Sequence, residues 1–186
     1  MIILLNGASS SGKSAIGEEL KNIASIKLLH LSIDDVFRMY PHDRIVKFRD
    51  NQSLFTGILM EINAILFKIA KEMDEMKLNV VVDVVFERPE IPRLALKELS
   101  GRTVFMVGVF CSLEVLELRE KERTNRMPGL ARSHVEIVHE NVEYDLTVDT
   151  SSISARECAA EIERWIVKEN LKPGAFVELG KRISAV

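Results

Sequence analysis

The part of this sequence that most constrains the fold is an eight-residue segment near its start, Gly7-Ala8-Ser9-Ser10-Ser11-Gly12-Lys13-Ser14. It matches the pattern Gly-x-x-x-x-Gly-Lys-Ser/Thr at every fixed position. An apolar run, residues 2–6, precedes it, and an amphipathic segment, residues 14–24, follows it. Small side chains let backbone N–H groups converge on phosphate oxygens, and the following helix presents its positive end to them. We therefore expect a phosphate-binding loop in which Lys13 reaches the β- and γ-phosphates and Ser14 offers a hydroxyl to Mg²⁺.

Beyond this loop, short apolar runs alternate with amphipathic segments along the chain. The predicted strands are residues 2–6, 28–33, 79–83, 103–110 and 144–148. The predicted helices are residues 14–24, 53–77, 89–99, 112–124, 132–141 and 154–168. Continuous apolar runs are typical of strands buried on both faces of a parallel sheet with helices on either side. The sequence thus predicts an α/β fold of the kinase-like P-loop NTPase type, a three-layer sandwich with a five-stranded parallel sheet and a helical lid, in one domain over residues 1–186.

Composition limits the partners that such a chain can have. The net charge of −3 and the pI near 5.9 give no electrostatic footprint for nucleic acid or an anionic membrane. The sequence has no basic leader, and no uncharged apolar run approaches the roughly 20 residues that span a bilayer. Cys111 and Cys158 lack a paired spacing, which favours free thiols in a reducing compartment. We expect a cytoplasmic protein that binds neither nucleic acid nor membrane.

Two features carry no assigned chemistry. Residues 170–186, which contain Pro173-Gly174, are expected either to add an edge strand or to contact a partner subunit. The second alternative would make the protein a homo-oligomer. The four histidines show no metal-ligand spacing, and we expect structural roles for His30, His42, His134 and His139.

Three arginines favour a kinase among the proteins that carry this loop. The guanine-reading string Asn-Lys-x-Asp of regulatory GTPases does not occur in the sequence. Arg119, Arg123 and Arg126 are spaced by four and three, so a continuing helix would display them on one face. Cations on one face could neutralise the charge of a transferring phosphoryl group.

The segment around these arginines is predicted to form a lid. Met127-Pro128-Gly129 is typical of a mobile turn, and Arg132 follows it. A lid over about residues 119–133 would fold its cations over the phosphates. The alternative is a solvated helix face on which the arginines pair with Glu117, Glu120 and Glu122.

Three aspartates stand at the ends of predicted strands, where open parallel sheets place their chemistry. Asp34 is predicted to accept the proton of a substrate hydroxyl or to orient that hydroxyl, with Asp35 capping or assisting. Either residue could instead be the N-cap of a short helix, residues 36–39. Asp83 ends a run of three valines and is predicted to hold Mg²⁺ together with Ser14, the alternative being an end-of-strand cap.

With these residues placed, the chain resembles the chloramphenicol phosphotransferase family of P-loop kinases. The resemblance lies in residues 3–14, in the strand that ends Ser-Ile-Asp-Asp at residue 35, and in residues 107–150. Together with the helix start at residues 157–159, it covers most of residues 1–168.

The resemblance implies an ATP-dependent O-phosphotransferase in which Asp34 deprotonates a hydroxyl of a small substrate. It also implies that residues 7–14 hold the ATP phosphates, with Mg²⁺ bridging the β- and γ-phosphates, and that the three lid arginines face the γ-phosphate. The segment at residues 149–152, with Asp149 and Thr150, would lie near the adenine.

The sequence departs from the family pattern in two places where the acceptor should bind. Residues 40–52 are short and charged, and Val84 stands where the family tends to carry a second aspartate. The acceptor therefore stays open between chloramphenicol and a nucleoside, a sugar nucleotide or adenylylsulfate. An anionic acceptor would meet the cations of the first segment, the alternative being a solvated loop; these cations are Arg44, Lys47 and Arg49. A non-catalytic nucleotide-binding module is the other alternative.

Overall fold

The computed structural model describes residues 1–41, 52–122, 129–169 and 171–184. Its strands are β1 Ile2–Asn6, β2 Leu28–Ser32, β3 Asn79–Val84, β4 Val104–Phe110 and β5 Leu146–Asp149. They form one parallel sheet in the order β2-β3-β1-β4-β5. The five-stranded parallel sheet predicted from the sequence is thus confirmed. Because β2 and β3 lie to one side of β1 and β4 and β5 to the other, the direction of strand addition reverses at β1, and the loop after β1 opens where such sheets bind their ligands.

Helices follow the strands throughout the described residues. They are α1 Lys13–Ile23, α2 Ile33–Arg38, α3 Gln52–Glu75, α4 Glu90–Glu98, α5 Leu113–Lys121, α6 Leu130–Ile137, α7 Ala155–Ile162 and α8 Ala175–Ser184. A π-helical segment, Glu163–Lys168, extends α7. Of these described helices, none has the length and apolar character that crossing a membrane requires.

The side chains of each strand alternate between two separate cores. Ile2 and Leu4 lie in a core with residues of α2, α3, α4 and α8, on a side that we call face A. Ile3 and Leu5 lie in a second core with residues of α1 and α7, on a side that we call face B. Because both faces are covered by helices, the three-layer arrangement predicted from the continuous apolar runs is confirmed.

The sequence offered an edge strand as one alternative for residues 170–186. This prediction is wrong, because Ala175–Ser184 form helix α8. Phe176 and Leu179, three residues apart, are buried against face A. The carboxylate of Asp145 accepts hydrogen bonds from the N–H groups of Gly174 and Ala175, at 2.7 and 2.9 Å, and so caps the helix start. Contact of this segment with a partner subunit stays a prediction.

Two further boundaries differ from those predicted. The fifth strand begins at Leu146 instead of residue 144, because Tyr144 packs its ring against Gly108 and Asp145 caps α8. Helix α6 covers Leu130–Ile137 instead of residues 132–141. It begins after Gly129, whose φ of 88° lies in the left-handed region that favours glycine.

Candidate active site

The phosphate-binding loop between β1 and α1 depends on two glycines and on Lys13. A Cβ on Gly7 would lie 2.4 Å from the carbonyl oxygen of Val109, so only glycine fits there. Gly12, at φ 90°, precedes the first turn of α1. The Lys13 ammonium lies inside the loop and donates to the carbonyl oxygens of Gly7 and Ala8 at 2.8 and 2.7 Å. The ammonium is thus held beside the backbone that the sequence predicts to bind phosphate.

Two serine hydroxyls of the loop are buried without a hydrogen-bond partner among the described residues. They are the Oγ atoms of Ser9 and Ser10. Buried polar atoms are nearly always paired, so these atoms call for a ligand or water. A cradle of small polar residues at the positive end of α1 fits a phosphate chain.

Asp83 and Ser14 meet beside this loop. Asp83 is buried near the end of β3, and its carboxylate accepts hydrogen bonds from the hydroxyls of Ser32, at 3.1 Å, and Ser14. Burial alone raises the pKa of Asp83, but the hydrogen bond with His30, the charge of Lys13 and the Ser14 hydroxyl hold this pKa below its ordinary value. Asp83 is therefore an anion, and its hard oxygens with that of Ser14 suit Mg²⁺.

The metal would need oxygen ligands from the nucleotide as well. Among the described residues no group of three or more His, Cys, Asp or Glu side chains could hold a metal ion by itself. Mg²⁺ commonly binds to one or two carboxylates together with substrate phosphates.

The His30 ring hydrogen-bonds to the Asp83 carboxylate and so orients it, a role that the sequence did not predict. Its ring bridges two carboxylates, with Nδ1 2.7 Å from Glu18 and Nε2 3.3 Å from Asp83. Burial lowers the pKa of His30, but the hydrogen bonds to Asp83 and Glu18 raise it above its ordinary value. Gly17 makes room for the ring, since a Cβ there would lie 2.5 Å from Nε2.

Asp34 and Asp35 line a cavity of about 210 Å³ at the carboxyl end of β2. Neither residue is the N-cap of the short helix: the N-cap is Ser32, whose N–H donates to Asp35 at 2.9 Å in a capping box. Asp35 also pairs with Arg38. The Asp35 carboxylate thus stabilises the start of α2, while Asp34 lines the same cavity as Ser14.

Arg119 connects the helix after β4 to the loop after β5. Its guanidinium donates to the hydroxyl and the carbonyl oxygen of Thr150, at 3.0 and 2.8 Å. The Thr150 hydroxyl in turn lies 2.8 Å from the carbonyl oxygen of Ser11, to which it donates. Asp149 accepts hydrogen bonds from the N–H and the hydroxyl of Ser151 and holds the turn. The two segments expected near the nucleotide therefore meet at the phosphate-binding loop.

The rest of the predicted lid is only partly within the described residues. Arg123 and Arg126 lie outside them, as do Arg44, Lys47 and Arg49. Arg132 pairs with Glu117 at 2.7 Å, and the Glu120 carboxylate accepts hydrogen bonds from backbone N–H groups at the start of α6. Two of the glutamates proposed as partners thus bind the second half of the lid segment.

Helix α6 packs over the phosphate-binding loop and brings a second unpredicted histidine to it. Nδ1 of His134 accepts from the N–H of Ser9 at 3.4 Å, and Nε2 lies 3.1 Å from Glu87. No spacing in the sequence indicates this contact. A signal that could have found it is the position of α6 next to the lid, a segment expected to approach the phosphates.

Known sequences show which family the chain belongs to. The model of the family described as "Chloramphenicol phosphotransferase-like protein" matches residues 1–167. Proteins of two Mycobacterium tuberculosis strains, both named "Putative O-phosphotransferase", are 30% identical over 200 residues, which cover 97% of this chain and 88% of theirs. The family resemblance found in the sequence is confirmed.

Solved structures of kinases share the fold. A sugar kinase from a Janibacter species has a TM-score of 0.68 at 14% identity, over 92% of this chain and 95% of that chain. The APS kinase of Mycobacterium tuberculosis, in complex with AMPPNP and APS, has a TM-score of 0.62 at 19% identity, over 87% and 94%. A shikimate kinase from Aquifex aeolicus has a TM-score of 0.61 at 20% identity, over 92% and 99%. The kinase-like P-loop fold predicted from the sequence is confirmed.

Proposed function

The chain belongs to the chloramphenicol phosphotransferase-like family, and from this premise we propose that it is an ATP-dependent kinase that transfers the γ-phosphate to a hydroxyl of a small molecule. The observation that carries the proposal is the convergence of three groups at the carboxyl edge of the sheet. Lys13 lies in the phosphate-binding loop, Asp83 hydrogen-bonds to Ser14, and Asp34 lines the cavity beside Ser14. In-line phosphoryl transfer needs a phosphate cradle, a metal-binding anion and an acceptor-orienting group in one cleft.

In this proposal the loop and Lys13 bind the ATP phosphates. The Lys13 ammonium exchanges the carbonyl oxygens of Gly7 and Ala8 for oxygens of the β- and γ-phosphates. Ser14 and Asp83 would hold Mg²⁺, and the ion would offset negative charge on the phosphates. The bonds from Arg119 to Thr150 support a nucleotide site on the β5 side of the loop.

Asp34 accepts the proton of the acceptor hydroxyl while the oxygen of that hydroxyl bonds to the γ-phosphorus. The bond from the γ-phosphorus to the bridging oxygen of ADP breaks, and ADP leaves. Asp35 has a different role, because its carboxylate accepts from the N–H of Ser32 in the capping box at the start of α2 and pairs with Arg38. The free thiols of Cys111 and Cys158 support a cytoplasmic location.

The test is an acceptor screen with a pair of matched variants. Wild-type protein, Asp34→Asn and Asp35→Asn are incubated with Mg·ATP and chloramphenicol, shikimate or adenylylsulfate, with ADP release and product mass as readouts. Asp34→Asn should slow transfer by roughly 10²–10⁴-fold, the range of general-base catalysis, with unchanged affinity for Mg·AMPPNP. Asp35→Asn should stay within a few-fold of wild type. Equal rates for Asp34→Asn and wild type would remove the base, and ATP binding without ADP release for any acceptor would favour a non-catalytic module.

A further inference from the structure

A group of four side chains at the ends of β1 and β4 has no role in the chemistry described so far: Asn6, Phe110, His139 and Tyr144. Asn6, the last residue of β1, is fully buried and donates through Nδ2 to the carbonyl oxygen of Val138 and to the Tyr144 hydroxyl, at 2.6 and 2.7 Å. Its Oδ1 accepts from the N–H of Phe86 at 2.9 Å. The Tyr144 hydroxyl lies 2.7 Å from Nδ1 of His139.

These contacts determine which nitrogen of His139 carries the proton. A carbonyl can only accept and a backbone N–H can only donate, so the orientation of the Asn6 amide is fixed. Tyr144 accepts from that amide, and the other hydrogen-bond partner of its hydroxyl among the described residues is Nδ1 of His139. If Nδ1 carried the proton, the hydroxyl hydrogen of Tyr144 would be left without an acceptor. His139 is therefore an Nε2–H tautomer.

The ring is neutral as well as oriented. Burial, with a further contribution from the charge of Lys13, lowers the pKa of His139 to about 4. The ring also stacks on Phe110, the last residue of β4, with centroids 4.0 Å apart and planes 15° apart. Within the described part of the chain, Nε2 has no hydrogen-bond partner. Four hydrogen bonds and a ring contact thus orient one neutral N–H donor.

The position of this donor indicates what it binds. Asn6 and Phe110 end β1 and β4, the neighbouring strands that flank the start of the phosphate-binding loop. Lys13, whose charge acts on His139, is the residue predicted to reach the β- and γ-phosphates. Tyr144 packs on face A, the face that also carries α2 with Asp34, whereas Arg119 and Thr150 bind the loop from the β5 side. His139 therefore lies beside the start of the phosphate-binding loop, linked through Tyr144 to Asn6, the residue that precedes Gly7.

We propose that the Nε2–H group of His139 donates a hydrogen bond to an oxygen of the γ-phosphoryl group of ATP and so distinguishes ATP from ADP. This inference rests on the proposed function, because it needs the nucleotide to bind in that cleft. His139 is a binding residue for the transferring group, oriented by Asn6 and Tyr144.

Two substitutions of His139 separate donation from packing. His139→Gln keeps an N–H donor near the place of Nε2 and loses the ring. His139→Phe keeps a ring against Phe110 and loses the donor. If His139 donates to the γ-phosphoryl group, His139→Phe should raise the Kd for Mg·AMPPNP about tenfold and leave the Kd for Mg·ADP unchanged, because it removes a hydrogen bond to a charged group. His139→Gln should stay within about threefold of wild type for both nucleotides.

Calorimetric titration of the three proteins, each checked for its thermal unfolding midpoint, gives the answer. If His139→Gln does not bind Mg·AMPPNP more tightly than His139→Phe does, each relative to its own affinity for Mg·ADP, the inference is overturned. A wild-type protein that binds neither nucleotide overturns the proposed function as well, whereas wild-type binding with an unaltered His139→Phe variant overturns the inference alone. Nitrogen NMR of the His139 ring in the wild-type protein tests the inference without a substitution. Nε2 should be protonated, and its N–H signal should shift when Mg·AMPPNP is added and not when Mg·ADP is added. A proton on Nδ1 would contradict the argument.

Discussion

Gly17 in α1 should be intolerant of the smallest substitution, although it lies in a helix. In an open helical position, replacing glycine by alanine stabilises by about 0.5–1 kcal/mol. A Cβ on Gly17, however, would lie 2.5 Å from Nε2 and 2.6 Å from Cδ2 of His30. The His30 side chain is only 5% exposed and is bound to Glu18 and Asp83, so the ring has little room to move. Overpacking of this kind costs about 1–3 kcal/mol, and a displaced ring would lose bonds to carboxylates worth about 1.5–3 kcal/mol each.

We therefore expect Gly17→Ala to lower the free energy of unfolding by about 1–3 kcal/mol after the gain in helix propensity. Gly57 in α3 is the matched control, because none of the described residues has an atom within 4 Å of a Cβ placed there. Gly57→Ala should raise the free energy of unfolding by about 0.5–1 kcal/mol. Urea unfolding of both variants and the wild type, with equal m-values, measures the difference. Gly17→Ala as stable as wild type, or stabilised like Gly57→Ala, would refute the packing of His30 behind Asp83.

Two further predictions concern the parts of the molecule next to the site. Asp145→Ala should lower the free energy of unfolding by about 2 kcal/mol, because the N–H groups of Met106, Gly174 and Ala175 lose their acceptor; hydrogen exchange should rise across α8, and unchanged protection there would contradict the cap. The pKa of His139 is lowered from 6.5 to about 4 in the folded protein, so the unfolded chain binds this proton first as the pH falls. The contribution of the neutral His139 ring to the free energy of unfolding is therefore complete above pH 6.5 and is lost as the pH falls toward 4. The free energy of unfolding falls by at most about 3 kcal/mol over this range, and by about 1–2 kcal/mol after allowance for the partial exposure of the ring. Urea unfolding between pH 4 and 7 should show this slope in the wild type and not in His139→Phe, and equal slopes would disprove it.

The sheet and the phosphate-binding loop could be predicted because their signals are local. The run before Gly7 is apolar at every position but its last, and Gly12 is required by the local backbone, whose φ is 90° there. The same holds for the long helix α3, whose apolar positions recur at three and four. Such patterns need no knowledge of how distant parts of the chain meet.

The supporting contacts of the site could not be predicted because they join distant residues. His30 and Asp83 are 53 residues apart in sequence and meet only because β2 and β3 are neighbours in the sheet. His134 reaches Ser9 across 125 residues. Nothing in the spacing of the histidines marks these contacts, and structural roles were the expectation for all four.

Two smaller errors had signals that could have been used. Ser32, three residues before Asp35, fits a capping box with an acidic residue at its third position, so the N-cap could have been placed before Asp34. Phe176 and Leu179 recur at helical spacing, which favours a helix over an edge strand in the tail. The cap from Asp145 that fixes the start of this helix needed the fold.

The most direct test of the account is the affinity of the purified protein for Mg·ATP, measured by calorimetry beside Lys13→Ala. The account predicts stoichiometric binding by the wild type and a loss of at least tenfold in affinity for the variant, because the ammonium held at Gly7 and Ala8 is the cation that the phosphates would take over. A wild-type protein without affinity for Mg·ATP, or a Lys13→Ala variant that binds it equally well, would contradict the proposal that this loop holds the phosphates of a nucleotide.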